Sequence, residues 1–400
     1  MKVLMLTYRV PFPPNSGYPI VVYNTIKGLL RHDIDVTLFS INTNKHRVDV
    51  DDIYDPIYDG VKFYSYDIDT EVNIWGAIFN VFSNQSYNVS RYFDDNAAKL
   101  LENILRETEF DIIQFEGLFV VPYLDTVKAY SKAKIIYRAH NIVFDVWERI
   151  AYTERFRPRR RYLEFLARRL KSYETEQMNR FHQIFAISEQ DRQSILRFGC
   201  ETSLDVFPVA LDFDKYVTDP SKTSFATLFH LGAMDWRPNK EGLEWFLDEI
   251  WPDIEKLNSE LRFYIAGKNM QQQFFDYDSE NLVVEGEILD AVEFINSKAI
   301  MIVPLLSGSG MRVKIIEGMA MRKCIIATTM AAEGITCENG KDILIANTPD
   351  EFYRAILQCI TNPNKWREIG ENARKTAERN YDISTITEGM VNIYRRLINV

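Results

Sequence analysis

Four hundred residues, 46% of them hydrophobic and 26% charged, are too many for one ordinary core and suit two domains of about 200 residues each; a disordered chain is excluded. The formal net charge of −10 argues against a general nucleic-acid binder. No apolar run approaches the roughly 18 residues of a membrane span, and the longest aromatic-apolar stretch, Ile74–Phe82, is broken by Gly76 and Asn80.

The chain opens MKVLMLTYRVPFPP, with one early lysine, a short apolar run and then prolines. That pattern predicts a buried first strand and its loop, not a signal peptide. Apolar runs at Lys2–Tyr8, Asp35–Ser40, Val61–Tyr66, Asp111–Phe115, Lys134–Tyr137 and Gln183–Ile187 read as strands. Helix-length amphipathic segments such as Ile20–Leu30 and Asn96–Thr108 lie between them. The pattern restarts with strands at Leu204–Val209, Thr227–Leu231, Arg262–Ala266, Leu282–Glu285, Ala299–Pro304 and Cys324–Thr328, and helices at Lys240–Ile250 and Val313–Met321. A final helix, about Ser384–Leu397, carries one apolar stripe. The alternation predicts an α/β protein with two Rossmann-like, doubly wound parallel-sheet domains facing across a cleft. Residues 1–205 form the first domain, 206–383 the second, and the helix in 384–400 packs back on the first.

Cys200, Cys324, Cys337 and Cys359 form no CxxC pair and no metal-like spacing with the five histidines. They read as reduced thiols of a cytoplasmic protein.

The most informative stretch is VPLLSGSGMRVKIIE, Val303–Glu317. A strand ends in a loop with Gly308, Ser309, Gly310 and Met311, and a helix follows at once. Glycines admit a ligand to the backbone, and a helix start offers free N–H groups. Arg312 and Lys314 stand at the end of a helix that disfavours cations unless an anion offsets them. A diphosphate fits that requirement. Glu317, about one and a half turns on, suits the two vicinal hydroxyls of a ribose.

This segment resembles the donor loop of the retaining family 4 glycosyltransferases. Their pattern is a glutamate, seven residues, a second glutamate, a short Ala/Gly-Met-Ala helix and a strand. Here the second glutamate is Glu317, followed by Gly318, Met319, Ala320 and the strand from Cys324; Ala332-Glu333-Gly334-Ile335 continues the likeness. Ser309 stands where the first glutamate would be, which leaves the donor sugar open and is similar to a bacterial branch reading Gly-X-Gly-X-Arg-X-Lys. Phe229–Trp245 also resembles that branch, with Ala233 in place of the common arginine and Glu241 before Gly242. Phosphate contacts are therefore expected from Arg312 and Lys314, with Gly232, Arg237, Asn239 or Lys240 nearby. Arg237, Asn239 and Lys240 read equally as a turn and helix cap around Pro238.

In the first domain, Ser16 and Gly17 lie in the loop PFPPNSGYP, Pro11–Pro19, just before a helix, with Ser16 as a helix cap by the plainer reading. The resemblance brings this loop toward donor phosphate and acceptor. It likewise places His140 and Asn141, in YRAHN, toward the donor sugar. Glu116 is an acceptor-side carboxylate. Ser188-Glu189 also resembles a family motif, although a helix cap explains it. The segment 155–171 holds eight basic residues and one acid, Glu164. It reads as a solvated helical face or as a contact for an anionic membrane or lipid diphosphate acceptor, with aromatics of 74–82 and 87–93 beside it.

The resemblance implies transfer of a sugar, with retention, from a nucleoside diphosphate sugar to a hydroxyl of a glycan or lipid-linked acceptor. The setting it implies is bacterial surface polysaccharide assembly, in the cytoplasm or at the inner face of the membrane. His140, Arg312 and Lys314 are the catalytic candidates. No cofactor and no essential metal are expected. A nucleotide-sugar epimerase and a non-catalytic nucleotide-sugar or glycan-binding protein are the alternatives.

Overall fold

A computed structural model describes residues 1–71, 87–257, 260–308 and 310–399. Ser309 and the aromatics of 74–82 lie outside the described residues. The chain forms two compact units, Met1–Ala210 with Ile383–Val400, and Leu211–Asp382.

The first unit is built on seven strands: β1 (Lys2–Thr7), β2 (Asp35–Thr43), β3 (Lys62–Ile68), β4 (Ile112–Glu116), β5 (Lys134–Ala139), β6 (Gln183–Ala186) and β7 (Leu204–Val206). They pair in parallel in the order β3-β2-β1-β4-β5-β6-β7. Strands buried on both faces need apolar residues at every position, because successive side chains point to opposite faces. In β1 Val3 and Met5 enter one core layer and Leu4 and Leu6 the other, all fully buried. Each such side chain contributes roughly 1.5–3 kcal/mol of hydrophobic stabilisation. The first layer packs against helices Gly17–Arg31 and Ile383–Ile398, which bring Val22, Ile26, Leu29, Met390 and Tyr394. The second packs against helices that include Asp95–Glu107 and Arg157–Met178, through Leu101, Ile104 and Leu170.

The second unit has six strands: β8 (Thr227–Leu231), β9 (Arg262–Ala266), β10 (Leu282–Gly286), β11 (Ile300–Val303), β12 (Cys324–Ala327) and β13 (Leu344–Ile345). All pairs are parallel, in the order β10-β9-β8-β11-β12-β13. Leu228, Phe263, Ile265 and Ile302 meet Leu243 and Phe246 of helix Arg237–Glu249. Helix Val313–Ala320 lies close on the sheet, since a Cβ at Gly318 would sit 2.7 Å from Met301 Sδ.

The expected boundaries move. Leu204–Val206 pairs with Ile184–Ala186 as the edge strand of the first sheet, and the Phe207 amide donates to the Ala186 carbonyl (2.8 Å). The first unit therefore runs to residue 210, not 205, and resumes at 383, not 384. Leu204–Val209 does not open the second unit.

Candidate functional site

In an open parallel sheet the loops diverge where strand order reverses, leaving a crevice beyond the carboxyl ends of the two strands. In the first unit that point lies between β1 and β4, and it gathers several sequence-predicted residues. Glu116 is the last residue of β4, His140 follows β5 directly, and Ser16 and Gly17 begin the helix after β1. Gly117, at φ 97°, turns the chain sharply; a Cβ there would meet Tyr8 at 3.2 Å and His140 at 3.9 Å.

His140 Nε2 lies 2.6 Å from Glu116 Oε2. The Glu116 carboxylate is fully buried, while His140 retains 11% of its side-chain exposure. Burial works to raise the Glu116 pKa, but the His140 hydrogen bond, the charge of Arg138 and the Gln114 amide together hold it below the ordinary glutamate value. Arg138, itself fully buried, donates to Thr25 Oγ1 (2.5 Å) and to the Pro208 carbonyl (3.2 Å). Burial lowers the His140 pKa, and its bond to Glu116 opposes this only in part. The pair is thus an ionised glutamate and a neutral histidine. A carboxylate only accepts, so Nε2 carries the proton and Nδ1 is left as an acceptor.

Ser16 occupies the N-cap position of helix Gly17–Arg31, yet its side chain makes no capping bond and its buried Oγ has no partner among the described residues. The cap reading of Ser16 is therefore corrected. Asn141 is half-buried, two residues before helix Val143–Thr153. Glu174 closes the start of that helix, accepting from the amides of Val143 (3.2 Å) and Phe144 (3.0 Å). Ser188 caps helix Glu189–Arg197, its Oγ accepting from the Asp191 amide at 3.0 Å.

In the second unit the order reverses between β8 and β11. The loop after β8 carries Gly232 and leads into the helix that holds Asn239, and the loop after β11 carries Gly308, Gly310, Met311 and Arg312. Gly308 (φ 117°) and Gly310 (φ 78°) adopt backbone conformations that other residues rarely reach. Helix Val313–Ala320 starts directly after them. Arg312, only 5% exposed, occupies the N-cap position; its Nη1 donates to the Gly310 carbonyl and its guanidinium lies 5.4 Å from the Trp236 ring centroid. Lys314 Nζ donates to Asn239 Oδ1 (2.8 Å) and to the Leu231 carbonyl (3.3 Å). Burial, with Arg312 beside it, pushes Lys314 down to about 7. Asn239 completes the bracket by donating to the Ala233 carbonyl (3.0 Å). It lies inside helix Arg237–Glu249, whose N-cap is Trp236, so the cap reading of Asn239 is corrected: it orients Lys314. Gly232 makes room for it, since a Cβ there would stand 2.6 Å from Asn239 Nδ2.

Glu317 Oε1 accepts from the Tyr216 hydroxyl (2.9 Å), and Oε2 accepts no hydrogen bond among the described residues. Burial raises the Glu317 pKa, with the Tyr216 bond opposing. Tyr216, Trp236, Tyr18 and Gln114 are the site residues that sequence reasoning missed. Tyr18 donates to the Glu116 carbonyl (3.0 Å) and its ring centroid lies 4.8 Å from that of His140. Trp236 and Tyr18 left a signal, each inside a motif already singled out; Tyr216 lies 101 residues from its partner.

The basic segment forms most of helix Arg157–Met178. Arg159 pairs with Glu154 (3.1 Å) and Arg160 with Glu164 (2.9 Å), while Arg155, Arg157 and Arg161 make no ion pair among the described residues. Tyr152 is 79% exposed and Phe156 65%. Among the described residues no helix is long and apolar enough to cross a membrane, and no three His, Cys, Asp or Glu side chains gather as a metal site.

Comparison with known proteins gives these observations a family. A 44.6 kDa protein in the cps region of Klebsiella pneumoniae is 26% identical over 153 residues, 36% of this chain and 39% of that protein. The chain thus spans about two fifths of that relative's length. Sucrose-phosphate synthase from Thermosynechococcus elongatus has a similar structure over 100% of both chains, at a TM-score of 0.73 and 13% identity. Anabaena HepE, solved in complex with UDP-glucose, is similar over 99% of this chain and 100% of its own, at a TM-score of 0.66 and 14% identity. The model described as glycosyl transferases group 1 matches residues 226–362, the unit with the glycine loop. The model described as Glycosyltransferase Family 4 matches residues 16–215, half of the sequence, and the chain belongs to that family.

Proposed function

We propose that this glycosyltransferase binds a nucleoside diphosphate sugar on its second unit and transfers the sugar, with retention, to a hydroxyl of a glycan or lipid-linked acceptor. The observation that carries the reading is the gathering, at one strand-order reversal, of two positive-φ glycines, a helix start, Arg312, Lys314 and Glu317. The open Oε2 of Glu317 suits a ribose hydroxyl. The helix start and the two cations stabilise the diphosphate as it departs, and pre-set donors cost no reorganisation during reaction. His140, with its Nδ1 lone pair, offers an acceptor to a ligand hydroxyl at the first unit. The reaction needs no essential metal and no cofactor, and its setting is bacterial surface polysaccharide or glycoconjugate assembly in the cytoplasm. Complexes of HepE with UDP and UDP-glucose make these the first ligands to try.

Calorimetry with UDP, GDP and their sugar conjugates tests the donor site. One nucleotide should bind, and Glu317→Ala should weaken it by about tenfold to a hundredfold, the loss of one or two hydrogen bonds to a charged group. Binding of no nucleotide by folded protein would overturn the reading. Product analysis by NMR then reads the anomeric configuration.

Exposed Tyr152 and Phe156 beside Arg155, Arg157 and Arg161 favour peripheral contact with an anionic membrane surface. Amphipathic aromatics and basic side chains together supply such binding, about 1 kcal/mol per basic residue near the surface. Vesicles containing phosphatidylserine should retain the wild type, and Phe156→Ser combined with Arg157→Glu and Arg161→Glu should release it. Equal retention of both proteins would sink the idea.

A further inference from the structure

A line of buried side chains runs from the C-terminal helix to His140. The Tyr394 hydroxyl, on helix Ile383–Ile398, donates to Gln114 Oε1. Gln114 Nε2 donates to Glu116 Oε1. The other carboxylate oxygen, Oε2, faces His140 Nε2 at 2.6 Å. Tyr394, Gln114 and Glu116 are all fully buried.

The direction of each bond follows from chemistry. Burial raises the Tyr394 phenol far above its ordinary range, so the hydroxyl keeps its proton and donates it to the glutamine carbonyl. That contact orients the amide, which then presents its NH₂ group to Glu116. A buried carboxylate is costly unless its oxygens are bonded, and here Gln114 and His140 take one each. Arg138 supplies the nearby positive charge, while Tyr8 and Tyr18, both kept neutral by burial, lie within electrostatic reach of the carboxylate.

We propose that Gln114 and Tyr394 are positioning residues that hold His140 as its Nε2–H tautomer through Glu116. Gln114 adds to the His140 hydrogen bond and the Arg138 charge in keeping Glu116 ionised and therefore an acceptor, which obliges Nε2 to keep its proton and leaves the Nδ1 lone pair for a ligand hydroxyl. Without the amide, proton uptake by Glu116 becomes easier. Its O–H then donates to Nε2, and the imidazole proton must sit on Nδ1. The ring would change from acceptor to donor on its outward nitrogen. The role of that nitrogen toward a sugar rests on the transferase reading, but the tautomer does not.

Long-range ¹H–¹⁵N correlation spectra of the full chain distinguish Nδ1 from Nε2 in its five histidines, and His140→Gln assigns the relevant pair. At pH 7 the wild type should show a neutral His140 with its proton on Nε2. Gln114→Met should raise the ratio of Nδ1–H to Nε2–H about tenfold, the effect of one charge-assisted hydrogen bond. Tyr394→Phe should move it the same way by less. Unchanged His140 nitrogen shifts in both folded variants would overturn the proposal. If Gln114→Met does not fold, Tyr394→Phe, which removes a single hydroxyl, carries the test alone. Sugar transfer is scored separately. Tautomer coupling in a protein that transfers no sugar supports the positioning role and removes the transferase reading; transfer without coupling does the reverse.

Discussion

Lys314 is the residue whose chemistry a ligand should change most. Burial with Arg312 alongside brings it to about 7 in the unliganded chain. A diphosphate beside it favours the ammonium form, so its pKa must rise on binding. Donor binding therefore takes up a proton across the interval above 7. The association constant should be greatest below pH 7 and should fall as pH rises from 7 toward the higher pKa of the complex. Calorimetry at pH 8 in buffers of different ionisation enthalpy reads this uptake directly, and Lys314→Met should abolish it. Equal proton uptake in both proteins would show that another group is responsible. Glu317, two hydrogen-bonding oxygens with one occupied by Tyr216, contributes geometry to the same site more than charge balance.

The two helices on one face of the first sheet show how closely elements are fitted. Helix Gly17–Arg31 meets helix Ile383–Ile398 at Gly28, where a Cβ would lie 2.1 Å from Thr387 Oγ1. That hydroxyl is buried without a partner among the described residues. Gly28→Ala should destabilise the chain by about 1–3 kcal/mol through overpacking. Thr387→Val keeps the shape, removes an unsatisfied polar atom and should stabilise by about 1 kcal/mol. Chemical denaturation measures both, and a destabilising Thr387→Val would contradict the argument. Elements of this kind were legible in the sequence to differing degrees. Strands β8 and β9 match their expected bounds to the residue because buried apolar side chains dominate both, Leu228 and Phe229 in β8 and Phe263, Ile265 and Ala266 in β9. β13, of two residues, has no periodicity to read, and half-buried Leu204–Val206 was assigned to the wrong sheet because an edge strand looks alike in either. The glycine loop and Glu317 were readable since their chemistry is local. Tyr216, and the pairing of Gln114 with Tyr394 across 280 residues, were not, because periodicity reports burial and never the partner.

At the scale of the whole molecule the two units differ in how the chain builds them. Leu211–Asp382 is continuous, whereas the first unit needs the segment from Ile383 onward. That segment buries Ile383, Ile386, Met390, Val391 and Tyr394 in one layer of the first core. At roughly 1.5–3 kcal/mol each, their loss is comparable to the 5–15 kcal/mol that stabilises a typical domain. A chain ending at Asp382 should therefore lose the first unit's cooperative transition and keep the second's. The residues that surround the glycine loop, from Tyr216 and Gly232 to Glu317, lie inside Leu211–Asp382. Calorimetric scanning of the truncated chain should show one transition, raised by the nucleotide that the full chain binds, because a ligand that binds only the folded state stabilises it. Proteolysis should leave a fragment starting near residue 211. If nucleotide fails to raise that remaining transition although it binds the full chain, the donor site is not confined to the second unit, and its assignment to Arg312, Lys314 and Glu317 alone is incomplete.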